Sequence, residues 1–203
     1  MRPILCLILC SSLAGCGYDR SPTEATPADA PPGDSTSIGS TGADPSPGEH
    51  LLPDRGTEAL EPNATIKRVV DGDTVVVEVL GQTESVRLIG IDTPESVAEN
   101  RPDQCYGRES SGYLSALLPA GTAVTLIRDV EARDRYDRLL AYVVRSPDGL
   151  FVNLDLVAKG YAGLLTYEPN DHYADVFETA ANNAEAAGLG LWGVCGGPDV
   201  PLG

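Results

Sequence analysis

Alternation of apolar and polar positions begins abruptly at Thr65. Residues 17–61 before it are Pro, Gly, Ser, Thr, Ala and Asp with almost no apolar period, as in TPADAPPGDSTSIGSTGADPSPG. Such a stretch buries too little surface to offset the entropy of ordering it. Beyond it, strand-type runs occupy Thr65–Val70, Thr74–Leu80, Ser85–Ile91, Ala123–Ile127 and Leu139–Val144, each bounded by Gly, Asp, Pro or Arg-Asp clusters. Helical spacing fits Gly107–Leu118, Asn153–Ala158 and Asp171–Ala187. Asn153 is expected to cap the second helix and Gly188 to stop the third.

Three strands with short turns, a helix, two strands and two more helices is the order of an OB-fold Greek-key barrel. The fold class read from it is α+β, mainly β, with five strands and about three helices. The chain divides into residues 1–15, a signal segment; 16–61, an acidic tether; 62–195, the barrel domain; and 196–203, a C-terminal tail. At 203 residues two large domains are excluded.

Met1-Arg2 gives a basic start, Ile4 to Leu9 an apolar run, and Leu13-Ala14-Gly15-Cys16 a small-residue cleavage site. The LAGC tetrad resembles the lipobox of bacterial lipoproteins. That resemblance implies that Cys16 is lipidated and that the chain is exported and anchored to the extracytoplasmic face of the envelope, or released from it. An ordinary signal peptide is the competing reading. With Cys6, Cys10 and Cys16 so assigned, Cys105 and Cys195 remain of the five cysteines, and an exporting context favours one disulfide over two buried thiols.

Charge narrows the function classes. The balance is 14 basic against 30 acidic residues, a formal −16 with a sequence pI near 4.3. A protein that grips nucleic acid through bulk positive charge is excluded, so any contact with phosphate must be local. Lys67 and Lys159 are the only lysines. Nearly all positive charge is therefore arginine, whose planar fork matches phosphate bidentately.

Three segments carry more polar chemistry than their elements need. Val70-Asp71-Gly72-Asp73-Thr74 reads as a hairpin turn, yet its clustered carboxylates also suit a hard cation such as Ca²⁺. In Arg87-Leu88-Ile89-Gly90-Ile91-Asp92-Thr93-Pro94-Glu95, an arginine inside an apolar strand needs an anion or carboxylate to answer it. Asp92 and Glu95 leave that strand at one rim, where an Asx turn and a first-turn acid are the plainer account. Arg133-Asp134-Arg135-Tyr136-Asp137-Arg138 reads as a solvated hairpin tip, which leaves Tyr136 unexplained.

Taken in order, DGDT, RLIGIDTPE and RDRYDRLLAY resemble the thermonuclease family, the staphylococcal-nuclease-like nucleases, over about residues 64 to 193. Tyr106-Gly107-Arg108-Glu109, Val152-Asn153-Leu154, Lys159-Gly160-Tyr161-Ala162, Tyr167-Glu168-Pro169-Asn170 and Gly190-Leu191-Trp192 add to the likeness. The resemblance implies one Ca²⁺ per domain on Asp73, Asp92 and the Thr93 carbonyl, with Asp71 more remote. It implies Glu95 as the residue that positions or deprotonates water, and Arg87 and Arg138 as the clamp on the scissile phosphate. It assigns Arg135, Tyr136 and Tyr167 to the neighbouring phosphate and base. It further implies a monomer acting on DNA or RNA, single strands preferred, with 3′-phosphate products. Asp137 stands where the family pattern has Gly, and Leu165 where relatives have a second base-stacking Tyr. The rival readings are a non-catalytic OB module that binds nucleic acid or another ligand, and a purely structural surface lipoprotein.

Overall fold

The computed structural model describes residues 60–96, 103–146 and 148–202. The expectations for the signal segment, for Cys16 and for the tether up to residue 59 lie outside the described residues. In chain order the elements are β1 (Ala64–Val69), β2 (Thr74–Val79), β3 (Gln82–Leu88), β4 (Gly90–Asp92), α1 (Gly107–Leu117), β5 (Ala123–Ile127), β6 (Leu139–Arg145), α2 (Val152–Ala158), β7 (Gly163–Leu165), α3 (Ala174–Ala186) and α4 (Leu191–Cys195).

Five strands close a barrel in the order β1-β2-β3-β6-β5. The ladders are antiparallel except β3 with β6, which run parallel. Period-2 alternation fills the barrel: Ile66, Val75, Val77, Val86, Leu88, Val124, Ala141 and Val143 point inward, where Leu114 and Leu118 and the α2 residues Val152 and Leu156 pack on them. Tyr142 and Val144 of β6 face the other way, into a second cluster with Ile89, Phe151, Tyr173 and Phe177. That cluster seats α3 against the barrel wall.

Differences from the sequence reading have local causes. β3 begins at Gln82 because Leu80 and Gly81 take φ of 51° and 76°, the paired positive values of a two-residue hairpin turn. Gln82 to Glu84, polar enough to read as loop, therefore pair across to β2. The run read as Ser85–Ile91 is split. Gly90 has φ 81°, and a Cβ there would lie 2.4 Å from the Phe177 ring, so only glycine lets the chain turn off the barrel against α3. Beyond that turn, β4 pairs antiparallel with β7, three residues too short to read from a pattern.

Asn153 does not cap α2, whose N-cap position is Phe151. Asn153 is fully buried: its Oδ1 accepts the Val143 N–H at 2.9 Å, and its Nδ2 donates to the Ile89 carbonyl at 2.9 Å. α3 starts at Ala174, after a turn closed by the Ala174 N–H on the Asp171 carbonyl. Gly188, with φ 61°, follows the last turn of α3. Trp192 lies half-buried on the short α4. Cys105 is bonded to Cys195. Residues set apart as a tail instead return to the domain: the Cys105 N–H donates to the Val200 carbonyl at 2.7 Å, and the Leu202 N–H to the Asp103 carbonyl at 3.0 Å.

Candidate active site

The β1–β2 loop, the β3–β4 turn, the loop before β6 and the turn after β7 meet around one cavity of about 700 Å³. Its lining includes Asp71, Asp73, Arg87, Asp92, Glu95, Arg135, Tyr136, Arg138 and Tyr167. Each of these was singled out in the sequence. Thr93 is buried behind the cavity and acts on Asp73.

Asp73 is the most constrained acid of the group. Its Oδ2 accepts the Thr93 N–H at 3.0 Å and the Thr93 hydroxyl at 3.1 Å; its Oδ1 accepts the Thr74 hydroxyl at 3.0 Å. Gly72 makes this packing possible, since a Cβ at that position would lie 2.6 Å from Thr93 Oγ1. Asp71 Oδ1 accepts the Asp73 N–H at 3.1 Å and so shapes the same loop.

Arg87 projects from the end of β3 and is answered by carboxylates, as a largely desolvated guanidinium requires. Nη1 lies 3.0 Å from Asp73 Oδ2, and Nη2 donates to Asp92 Oδ1 at 2.6 Å. Nη1 also reaches the Leu88 and Ile91 carbonyls, at 3.1 and 3.0 Å. The guanidinium thus sits between the two acids. Consistent with this, no group of three or more His, Cys, Asp or Glu is gathered into a metal cage among the described residues.

Carboxylates crowd the rim. Burial raises Asp92 to about 6, with Arg87 opposing the shift and the charges of Asp73, Asp199 and Glu95 adding to it. Burial and the neighbouring Asp73 charge likewise push Asp71 up to about 6. The donor set offers oxygen alone, the chemistry of a hard cation, and its excess negative charge is what a divalent ion would relieve.

The second arginine is set by its own loop. Arg138 Nε donates to Asp134 Oδ2 at 2.7 Å, while Asp134 Oδ1 accepts the Tyr136 and Arg138 N–H groups, each at 2.9 Å. The guanidinium of Arg135 stacks 4.7 Å from the Tyr136 ring centre and that of Arg138 5.5 Å from it. Asp137 occupies its family-glycine position with φ 64°, a region aspartate tolerates. Its carboxylate lies 3.6 Å from Arg133 and is largely exposed.

Other positioning groups escaped the sequence reading. Arg133 makes a two-pronged pair with Glu84 of β3, at 3.0 and 2.8 Å, and donates to the Asp137 carbonyl at 2.7 Å. Asn170, buried, accepts the Glu131 N–H at 2.7 Å and donates to the Glu131 carbonyl at 3.1 Å. It thereby ties the turn carrying Tyr167 to the loop before β6. The paired residues lie 49 and 39 positions apart in the chain, so no local spacing signals them.

An OB-type barrel whose rim cavity sets hard oxygen donors beside guanidinium forks defines a class of protein built for phosphoryl chemistry. The family described as staphylococcal nuclease homologue matches residues 85–194. The chain is 42% identical over 127 residues to the thermonuclease of Staphylococcus intermedius, covering 63% of this chain and 74% of that one. It is 36% identical over 136 residues to the thermonuclease of Staphylococcus hyicus, covering 67% and 79%. To endonuclease YncB of Bacillus subtilis (strain 168) it is 36% identical over 135 residues, covering 66% and 63%. The chain belongs to the staphylococcal nuclease family.

Proposed function

We propose that this chain is a Ca²⁺-dependent endonuclease that hydrolyses DNA, and RNA with it, to 3′-phosphate products. The observation that carries the proposal is the convergence of Glu95, Arg87 and Arg138 with Asp71, Asp73 and Asp92 on one cavity. A non-catalytic binding module has no need of that combination.

Asp73 and Asp92, with the Thr93 carbonyl and Asp71, are the groups that would hold the cation. Bound there, it supplies Lewis-acid polarisation of the phosphoryl oxygens. Arg138 presents its Nη groups to a phosphate while Asp134 fixes Nε. Arg87 is anchored to the barrel wall by two backbone carbonyls, so its charge stays at the cavity floor as the phosphorus becomes pentacoordinate. Glu95, exposed at the rim, orients a water for attack at phosphorus and takes its proton. The P–O5′ bond breaks, O5′ leaves as the 5′-hydroxyl after taking a proton from solvent, and the phosphate stays on the 3′ side. Tyr167 and Tyr136, both exposed beside the cavity, offer faces on which unstacked bases rest. Single strands therefore fit better than duplex.

The test is digestion of single-stranded DNA with Ca²⁺ and with chelator, comparing the native chain with Glu95→Gln and Arg138→Ala. Loss of one charge-stabilising arginine is expected to lower kcat by about 10²-fold or more. Ca²⁺ at tenfold its Kd should raise stability by roughly 1.4 kcal/mol. Equal rates in all samples would overturn the proposal.

The chain is further proposed to be exported and lipid-anchored at Cys16 on the bacterial envelope, on the strength of LAGC following an apolar run. Among the described residues no helix is long and apolar enough to cross a membrane. Cys16→Ser should abolish labelling by a fatty acid; unchanged labelling would refute the anchor.

A further inference from the structure

Glu95 stands on the exit loop after β4, and an exposed carboxylate there is useful only if its backbone is held. The structure holds it from both sides through one residue. The Glu95 N–H donates to Gln104 Oε1 at 2.6 Å, and the Gln104 N–H donates to the Glu95 carbonyl at 2.8 Å. The other end of the Gln104 amide is itself fixed, because Nε2 donates to Asp199 Oδ1 at 3.2 Å.

Asp199 belongs to the segment that runs back along residues 103–105. Gln104 and Pro201 are antiparallel partners there, flanked by the backbone bonds from Cys105 to Val200 and from Leu202 to Asp103. The Cys105–Cys195 disulfide anchors the start of this segment beside the residue it must reach. Asp199 takes φ 60°, which turns the chain at the point where its carboxylate meets Gln104. Gly107 completes the seat: a Cβ on it would lie 2.6 Å from the Glu95 carbonyl oxygen.

We infer that Gln104 is a positioning residue for Glu95, and that residues 198–202, pinned by the disulfide, form a strap that holds Gln104 in place. The inference rests on the reading of Glu95 as the group that orients water. Its physical basis is that reacting groups misplaced by about 1 Å lose on the order of 10²-fold in rate. A carboxylate on a loop has few other restraints at that scale. The role is distinct from stability, because the bonds act on the backbone of the reacting residue and not on the barrel core.

The experiment uses the full chain, with kcat and KM on single-stranded DNA in Ca²⁺ and circular dichroism to establish folding. Gln104→Ala should lower kcat by about 10- to 100-fold while KM changes little. Gln104→Glu alone should be comparably slow, since two carboxylates then meet at Asp199. Adding Asp199→Asn should restore most of the rate: the introduced carboxylate still accepts the Glu95 N–H, and the new amide at 199 donates to it. Cys195→Ser, assayed at a temperature where its dichroism is native, should shift kcat in the same direction as Gln104→Ala. A folded Gln104→Ala protein with native kcat would overturn the inference, as would a folded double variant no faster than Gln104→Glu. A native rate for Glu95→Gln would instead overturn the reading beneath it.

Discussion

Asn153 offers the sharpest test of how the fold delivers the site. β3 pairs with β6 as far as Leu88 and Ala141, and the Ile89 N–H still donates to the Ala141 carbonyl at 3.1 Å. The chain then turns away at Gly90. The next link of the ladder is supplied by the Asn153 side chain, which stands between the Ile89 carbonyl and the Val143 N–H. Asn153→Ala would orphan both buried groups, each worth about 1–3 kcal/mol when left unpaired, for a combined loss of about 2–6 kcal/mol. For a domain of roughly 140 residues, at roughly 3 °C per kcal/mol, Tm should fall by about 6–18 °C. Asn153→Asp keeps an acceptor for Val143 but faces an oxygen toward the Ile89 carbonyl, so it should be no better. Thermal and urea melts measure the loss. Assays well below Tm should also show a lower kcat, because the Ile89 turn sets where Asp92 emerges to meet Arg87. A Tm drop under about 3 °C for both variants would refute the account.

The Arg133–Glu84 pair fastens the loop carrying Arg135, Tyr136 and Arg138 to β3. Either alanine variant should raise KM several-fold, and the swap of Arg133→Glu with Glu84→Arg should recover part of the loss; identical KM in all forms would remove the pair from substrate binding. Burial pushes Asp134 up, but its bonds to Arg138 and to the Arg138 and Tyr136 N–H groups outweigh this and hold it below its ordinary value. Its stabilising contribution is thus complete above the unfolded value of about 3.9 and is lost as pH falls through the lower folded value. In acid titrations followed by dichroism, Asp134→Asn should unfold with a shallower dependence over that window than the native chain, and an unchanged slope would count against the bond network.

The residues that line the cavity were legible because polar chemistry at a barrel rim violates local economy. Arg87 inside an apolar strand and Tyr136 in a charged tip each lacked a structural reason in the sequence. The barrel strands were legible too, since their period matches their burial. What escaped was whatever depends on distant pairing. Asn153 had a good helix-capping sequence context, and only the departure of β3 from β6 gives its amide two backbone partners. Gly90 sat in an unbroken apolar run, and the Phe177 ring that forbids a Cβ there comes from α3. The strap was invisible for the same reason: Gly196 to Leu202 has no period, and its order comes from the disulfide and from residues 103–105.

The two departures from the family pattern are absorbed differently. An aspartate at 137 threatened Arg138 with a competing negative charge, yet its backbone φ of 64° turns the carboxylate outward to Arg133, and Arg138 keeps Asp134 as its partner. That leaves Arg133 answering two acids at once, Glu84 and Asp137. Leu165 is not compensated in this way. It lines the cavity beside Tyr167, together with Glu131 and Glu168. If the cavity takes nucleic acid as proposed, an apolar wall and added carboxylates where a second aromatic face would otherwise stand leave base stacking to fewer rings and repel the phosphates that follow. Under the proposed function, retention of a polynucleotide therefore falls on the guanidinium groups of Arg87, Arg135 and Arg138. Charge held at contact distance is screened by salt far less than long-range steering, so the proposed nuclease activity does not require a positive outer field around the acidic domain.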